Sequence, residues 1–443
     1  MPATPRNPAA VTPNGASSTI NFVPHPHRGL VLGEVHARPF RAVKRPARLL
    51  HFAFVTDHAE AERDRAALTR FCEERGVAPP SPATKQHVVT LSDATLRWEQ
   101  HGEFTTYTWD VEIGDIGVFS PTAFTLAHPM TFVPQPGPHL CSVDLQILPK
   151  EMVDDPTRYF DATSLCHAKV DAGGATVSTD LKPGADGFIR YLVVTEFDDP
   201  ARIGGLAQHI LELEIYRTLA LLGLPEAQRL GPAVRGIESQ LVTITSEMTR
   251  SEGLETNHRL LDQLTMLAAQ LEADAASSLY RFGATTAYNE IMRSRLKALG
   301  EEPMPGRVTL EDFLGRRHDP AMRTCQAIVE RQANLSRKLA RATQLLRSRV
   351  EVEIEQQNRD LLAAMNERTR IQLRLQQTVE GLSVVAITYY LVGLISYLSK
   401  AAFDLGWLAN QYVMTAASVP IALLAVWFVV RRLRTAQLNK PEI

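Results

Sequence analysis

The sequence predicts an α+β protein: an N-terminal α+β cytosolic head, a helical middle, and a very long C-terminal stalk helix leading into a two-helix transmembrane hairpin. Three observations carry this. Strand-like runs with one intervening helix fill the head, and everything after them reads as helix, so βαβ alternation is absent. From Ala321 to Glu380 there is no Gly and no Pro, and strong helix formers dominate. Two uncharged apolar runs follow, Leu382 to Leu398 and Tyr412 to Val430, each close to the roughly 20 residues that cross a hydrocarbon core.

Taken in order, residues 1–24 form a tail rich in Pro, Ala, Ser, Thr and Asn, without the apolar stretch of a signal peptide. It is expected to be disordered. The head covers 25–200. RLLHFAFVTD (Arg48 to Asp57) reads as a buried strand, and AEAERDRAALTRFCEERG as a helix stopped by Gly76 and Pro79-Pro80. His87 to Glu112 reads as two alternating strands with a turn near Gln100 to Glu103. Gly117 to Pro138 holds several prolines and reads as a loop or short edge element. Leu140 to Leu148, Ser164 to Val170 and Phe188 to Phe197 complete the sheet, with turns at Gly173-Gly174 and Pro183-Gly184.

The helical region, 201–319, is expected to pack on the stalk. Its helices run from about Ala201 to Leu222, stopped by Gly223-Leu-Pro225, from Pro232 to Arg250, and from Glu255 to Leu299 with a break near Gly283. A short helix covers Leu310 to Arg316. The stalk, 320–380, opens on Asp319 as N-cap and Pro320 at the first helical position. It would reach on the order of 90 Å. Ile328, Leu335, Leu339, Leu346, Val350, Ile354, Leu361 and Met365 draw a narrow stripe along it, as in a coiled-coil seam or a stalk packed against shorter helices. The hairpin occupies 381–434 and a short tail 435–443. Arg368, Arg370 and Arg374 precede the first span, Arg431, Arg432 and Arg434 follow the second, and the loop between holds only Lys400 and Asp404. The positive-inside rule then places both termini in the cytoplasm of a bacterial inner membrane.

The net charge of -2 gives no basic face for nucleic acid. Cys72, Cys141, Cys166 and Cys325 are widely spaced, as reduced thiols are, with neither a disulfide framework nor a zinc-site spacing. Nucleotide-binding glycine loops, GxSxG, HExxH and DxDxDG are all missing, which favours a non-enzymatic role, and no cofactor is indicated.

At EVHARPF (Glu34 to Phe40), preceded by HPHR, and at TVEGLSVVAITYYLVGLISY (Thr378 to Tyr397), the sequence resembles a family of bacterial membrane-anchored proteins defined by a domain of unknown function. The resemblance runs from about Phe22 to Arg434 and brings no activity with it. The layout also resembles the CorA magnesium-channel superfamily, which implies a homopentamer with a pore. The Gly-Met-Asn motif that ends the first span of those channels is replaced here by GLISYLSK (Gly393 to Lys400).

The candidate ligand-binding residues are His25, Arg28, Glu34, His36 and Arg38. In an extended segment Glu34, His36 and Arg38 share one face, and with His25 and His27 they could build a metal site or an acid/base pair. Alternatively this polar segment ties the N-terminus to the head. In the stalk, Arg337, Lys338, Arg341, Arg347 and Arg349 precede Glu351, Glu353 and Glu355, which would stack as charged rings in an oligomer or pair with acids of the preceding helices. Thr388, Ser396 and Ser399 are the pore candidates, with helix–helix hydrogen bonding as the other use of such hydroxyls. The expected partners are the lipid bilayer and further copies of the chain, joined through stalk and hairpin. Three readings follow: a homo-oligomeric sensor or scaffold, a divergent CorA-like divalent-cation channel or transporter, and a tethered enzyme using EVHARPF.

Overall fold

A computed structural model describes residues 23, 25–34, 41–82, 84–111, 113, 117–122, 125, 129–406 and 410–438. The expected disordered tail therefore lies outside the described residues, save for Val23. The chain divides into two compact units, 1–241 with 267–339, and 242–266 with 340–443.

The first unit is built on an eight-stranded sheet. Its strands are β1 (Ala47–Val55), β2 (Gln86–Thr90), β3 (Ala94–Gln100), β4 (Phe104–Val111), β5 (His139–Pro149), β6 (Cys166–Val170), β7 (Ala175–Thr179) and β8 (Phe188–Thr195). They lie in the order β2-β3-β4-β1-β5-β8-β7-β6. Every neighbouring pair is antiparallel except β5 and β8. A short exposed helix, α1 (Arg28–Glu34), precedes the sheet. Between β1 and β2 comes α2 (His58–Glu74), opened by a capping box in which Asp57 accepts from the Glu60 N–H at 2.7 Å and Glu60 accepts from the Asp57 N–H at 2.9 Å.

Leu50, Phe52, Leu96, Trp98, Tyr107 and Trp109 form one core with Leu68 and Phe71 of α2. The opposite face carries Leu49, Val143, Leu145, Ile147, Tyr191 and Val193, packed with Ile203, Leu206 and Ile210 of α3 (Pro200–Leu221). Sheet and helices thus stack in layers with an apolar core on each side. After the helices the chain returns to β6, where the backbone of Glu302 and Val308 pairs with Lys169 and Cys166 and covers that sheet edge.

Asp64 is buried between these elements and accepts from Trp98 Nε1 at 2.7 Å and Tyr107 Oη at 2.5 Å. Burial raises its carboxyl from its ordinary value to about 6, against those two hydrogen bonds and Arg65, which pull it down. Since the folded value exceeds the unfolded one, this group stabilises the fold as pH falls from about 6 towards 4 and ceases to do so as pH rises. The difference in unfolding free energy between wild type and Asp64→Asn is expected to change by up to about 3 kcal/mol between pH 7.5 and 4.5. Urea titrations at the two pH values measure it, and an unchanged difference would remove Asp64 from the pH response.

Three strands, not two, occupy 86–111: the chain reverses at Leu91 to Ala94, whose backbones bond at 2.9 Å, a turn carried by Ser92-Asp93 with no Gly or Pro to announce it. β7 is a further strand, framed by the expected turns at 173–174 and 183–184. The first of these uses Asp171, Ala172 and Gly173 at positive φ.

Next come α4 (Gly223–Met248), α5 (Leu254–Leu299), α6 (Leu310–Arg317), α7 (Asp319–Asp404) and α8 (Gln411–Leu438). α4 begins at Gly223, nine residues before the expected Pro232, which lies inside the helix. Buried Ala227, Leu230, Phe282, Cys325 and Ile328 hold that turn in place, so packing overrides the proline. α5 passes Gly283 without a break, as a single glycine costs a helix only about 1 kcal/mol.

The stripe along α7 is half covered. Ile328, Leu335 and Leu339 are buried in the first unit. In the second unit Leu346 and Val350 are buried, as are Ile244, Leu260 and Leu264, whereas Leu361 and Met365 are exposed. Two of the expected charged positions serve as caps. Glu353 accepts from the Gly253 N–H at 3.0 Å and Asn257 Nδ2 at 2.9 Å, at the start of α5, and Arg349 donates to the Met248 carbonyl at the end of α4. Arg359 pairs with Glu355 along α7 itself. The helix is continuous past Glu380: α7 runs through Gly381 to Asp404, so the stalk leads into the first apolar run without interruption. It and α8 are long and apolar enough to cross a membrane, and only 6% and 17% of their most apolar windows is buried.

Candidate functional site

Side chains alternate along a strand, so on β1 Leu50 and Phe52 turn to α2 while Leu49, His51 and Ala53 turn to α3. Register then assembles a polar patch. His51 of β1, Thr108 of β4 and Arg97 of β3 are direct cross-strand neighbours, and Ala53, Thr106 and Glu99 form the adjacent row. His51, Arg97, Glu99 and Thr106, with His101, Phe104 and Tyr216, line a cavity of about 240 Å³. Gln208, Leu211, Glu212 and Ile215 of α3 and Arg295 of α5 close it.

The electrostatics of this cavity are uneven. His51 is 2% exposed, with Nδ1 2.8 Å from Thr108 Oγ1, while its Nε2 has no hydrogen-bond partner. Burial, reinforced by the neighbouring Arg97 and His101, drives the imidazole down to about 3, so it is neutral near pH 7. The Thr106 hydroxyl is likewise buried and unpartnered. The Arg97 side chain is 13% exposed, and among the described residues its guanidinium makes no hydrogen bond; its ion pair to Glu99 is a loose 3.7 Å. By contrast Arg295 is tied to Glu212, which also accepts from Gln208 Nε2 at 2.6 Å. His101 stacks on Phe104 with ring centroids 4.1 Å apart.

Buried polar groups left unmade each cost about 1–3 kcal/mol, which a bound molecule can recover. A histidine titrating near 3 is poorly matched to proton transfer at neutral pH. The cavity is equipped to bind.

A larger cleft of about 460 Å³ opens on the other face, walled by Phe52, Phe54, Met130 and Phe188. In it Ser142 Oγ lies 2.8 Å from His139 Nε2, the first contact of an activated serine. The N–H groups of Gly187 and Phe188 at its rim are already given to the Gly184 carbonyl and to Asp186, so neither is free to stabilise an oxyanion.

His25 and Arg28 are exposed, and the His27 N–H donates to His25 Nδ1 at 3.2 Å. Glu34 closes α1 instead of lying in an extended segment, because the helical turn begun at Arg28 carries through it. Its side chain, and all of His36 and Arg38, lie outside the described residues. No group of three or more metal-ligating side chains occurs among the described residues. Thr388 and Ser399 are buried and Ser396 is half-buried, and the Thr388 hydroxyl donates to the Val384 carbonyl at 2.7 Å. Sequence reasoning missed the cavity because its residues come from three strands. The available signal was polar residues alternating with large apolar ones in LLHFAF, LRWEQ and TTYTW.

The model of a family described as "Protein of unknown function (DUF3422)" matches residues 23–437. No curated protein matches the chain.

Proposed function

The chain belongs to the DUF3422 family, and as that membership assigns no activity we propose that it is a membrane-anchored, non-enzymatic sensor whose head binds a small polar ligand. The observation that carries this reading is the pair of buried, unpartnered atoms, His51 Nε2 and Thr106 Oγ1, beside the loosely paired Arg97.

Anchoring rests on the two apolar helices. A core helix of a soluble protein would be mostly buried, whereas these leave Leu382, Tyr389, Leu398 and Ile421 among the most exposed apolar residues of the chain. A hydrocarbon core would cover them. The arginines flanking the pair favour both termini, and the head, on the cytoplasmic side of a bacterial inner membrane. The uncovered Leu361 and Met365 continue a stripe that is buried further up α7, which supports further copies of the chain as partners along the stalk. The domain limits proposed are head 25–200, helical region 201–319, stalk 320–380 and hairpin 381–434.

For a divergent CorA-like channel, the Thr388 hydroxyl proposed for its pore brings no support, since it donates to the Val384 carbonyl of its own helix.

Thr106→Val tests the sensor reading. It deletes an unpartnered hydroxyl at constant shape, so the ligand-free melting temperature is expected to stay level or rise. Screening the detergent-solubilised chain against small polar metabolites should find at least one that raises Tm in wild type and raises it less in Thr106→Val. If no metabolite shifts Tm, or the shift is the same in both proteins, the cavity is not a ligand site.

A further inference from the structure

Resting on the binding reading above, we infer that the ligand of the β1–β3–β4 cavity is a small zwitterion of amino-acid size, its carboxylate held by the Arg97 guanidinium and its ammonium directed to the acidic side chains. Histidines aside, the charged side chains that line the cavity are Arg97 and Arg295, Glu99 and Glu212. They sum to zero, and His51 adds no charge near pH 7. A ligand with net charge would leave an uncompensated charge beside the buried His51 and Thr106, which is costly; a zwitterion would not.

The two arginines are not equivalent. Arg295 is committed to Glu212, whose carboxylate is further engaged by Gln208. Arg97 holds Glu99 only at 3.7 Å, so its planar set of N–H donors is available to a carboxylate in the paired geometry that guanidinium favours. Directly across β4 from it, His51 offers Nε2, and one row along Thr106 offers Oγ1, both without partners. A carboxylate on Arg97 therefore has two further groups close at hand. Glu99, in the Thr106 row, is the acid nearest to that point in the register and supplies the countercharge for an ammonium. The same acid repels a dianionic phosphate. Size agrees, because about 240 Å³ is the space of roughly eight waters, enough for a small amino acid and too little for a nucleotide.

Isothermal titration calorimetry on the full chain in detergent separates the possibilities, with four probes: glycine or alanine, acetate, ethanolamine and inorganic phosphate. The zwitterions are expected to bind best. Arg97→Gln should weaken them by roughly 30-fold or more, the usual result of removing one member of a buried charge pair. Arg97→Lys, which keeps the charge and loses the paired donors, should recover only part of that loss. Glu99→Gln should weaken glycine and alanine while leaving acetate no weaker. Unchanged melting curves for the variants would show that folding is intact; should Arg97→Gln not fold, Glu99→Gln and the probe series still decide. Preferential binding of phosphate or ethanolamine, or zwitterion affinity indifferent to Arg97→Gln, overturns the inference. If neutral metabolites bind and Thr106→Val weakens them while no zwitterion binds, the inference fails and the sensor reading survives. If nothing binds, both fail.

Discussion

Asp144→Ala is expected to cost the head about 3–5 kcal/mol, because it strands a buried cation. Arg48 of β1 is 5% exposed and Asp144 of β5 is 1% exposed. The guanidinium grips the carboxylate with both edges, Nε to Oδ1 at 3.0 Å and one terminal nitrogen to Oδ2 at 2.6 Å, and gives its other terminal nitrogen to the Ser120 carbonyl at 2.7 Å. Burial raises the Asp144 carboxyl above its ordinary value while Arg48 opposes the shift, as befits an ion pair taken out of water. Alanine removes the only carboxylate bonded to that guanidinium among the described residues. Replacing both partners with apolar residues, Arg48→Met with Asp144→Leu, should be distinctly milder than the single change, since no charge is then left behind. Urea denaturation followed through the buried Trp98 and Trp109 reads all three variants. A single Asp144→Ala variant within 1 kcal/mol of wild type would mean that water reaches Arg48 and the pair is not truly buried.

The second large effect is expected on truncation after Glu380. The full chain should stay with the membrane pellet through an alkaline wash, and the shortened chain should move almost wholly to the supernatant. Both uncharged runs lie beyond that point, and each is long enough to bury its apolar side chains in a bilayer. What remains still contains every strand, α2 to α6 and the buried part of the α7 stripe. It should therefore melt cooperatively. A truncated chain that stays in the pellet while folded would place the membrane contact in the head.

Much of the fold was legible because its signals are local. The run AEAERDRAALTRFCEERG with its stop at Gly76 marks α2, Gly173 marks a turn that needs positive φ, and the gap in Gly and Pro from 321 to 380 marks the body of α7. What was missed depends on distant partners. Nothing near Pro232 in sequence says that Phe282 and Ile328 will hold α4 straight through it. The turn at Ser92-Asp93 has neither the Gly nor the Pro that most strongly punctuates a hairpin. The site shows the same division. EVHARPF stands out as a string of chemically able residues, yet His51, Arg97 and Thr106 become neighbours only once β1, β3 and β4 are in register. The chemistry of Arg97 is equally invisible in sequence, because it lies in the 3.7 Å gap to Glu99 and not in the residue type.

Protease accessibility in oriented bacterial membrane vesicles tests the proposal of an anchored head on the cytoplasmic side most directly. The stalk carries Arg368, Arg370 and Arg374 on an exposed stretch of α7, where trypsin can cut. In inverted vesicles, whose cytoplasmic face is outward, trypsin should release the head into solution and leave the hairpin with the lipid. In right-side-out vesicles the head should be untouched. Release of the head from right-side-out vesicles, or recovery of hairpin peptides in the soluble fraction, would contradict the anchored cytoplasmic sensor.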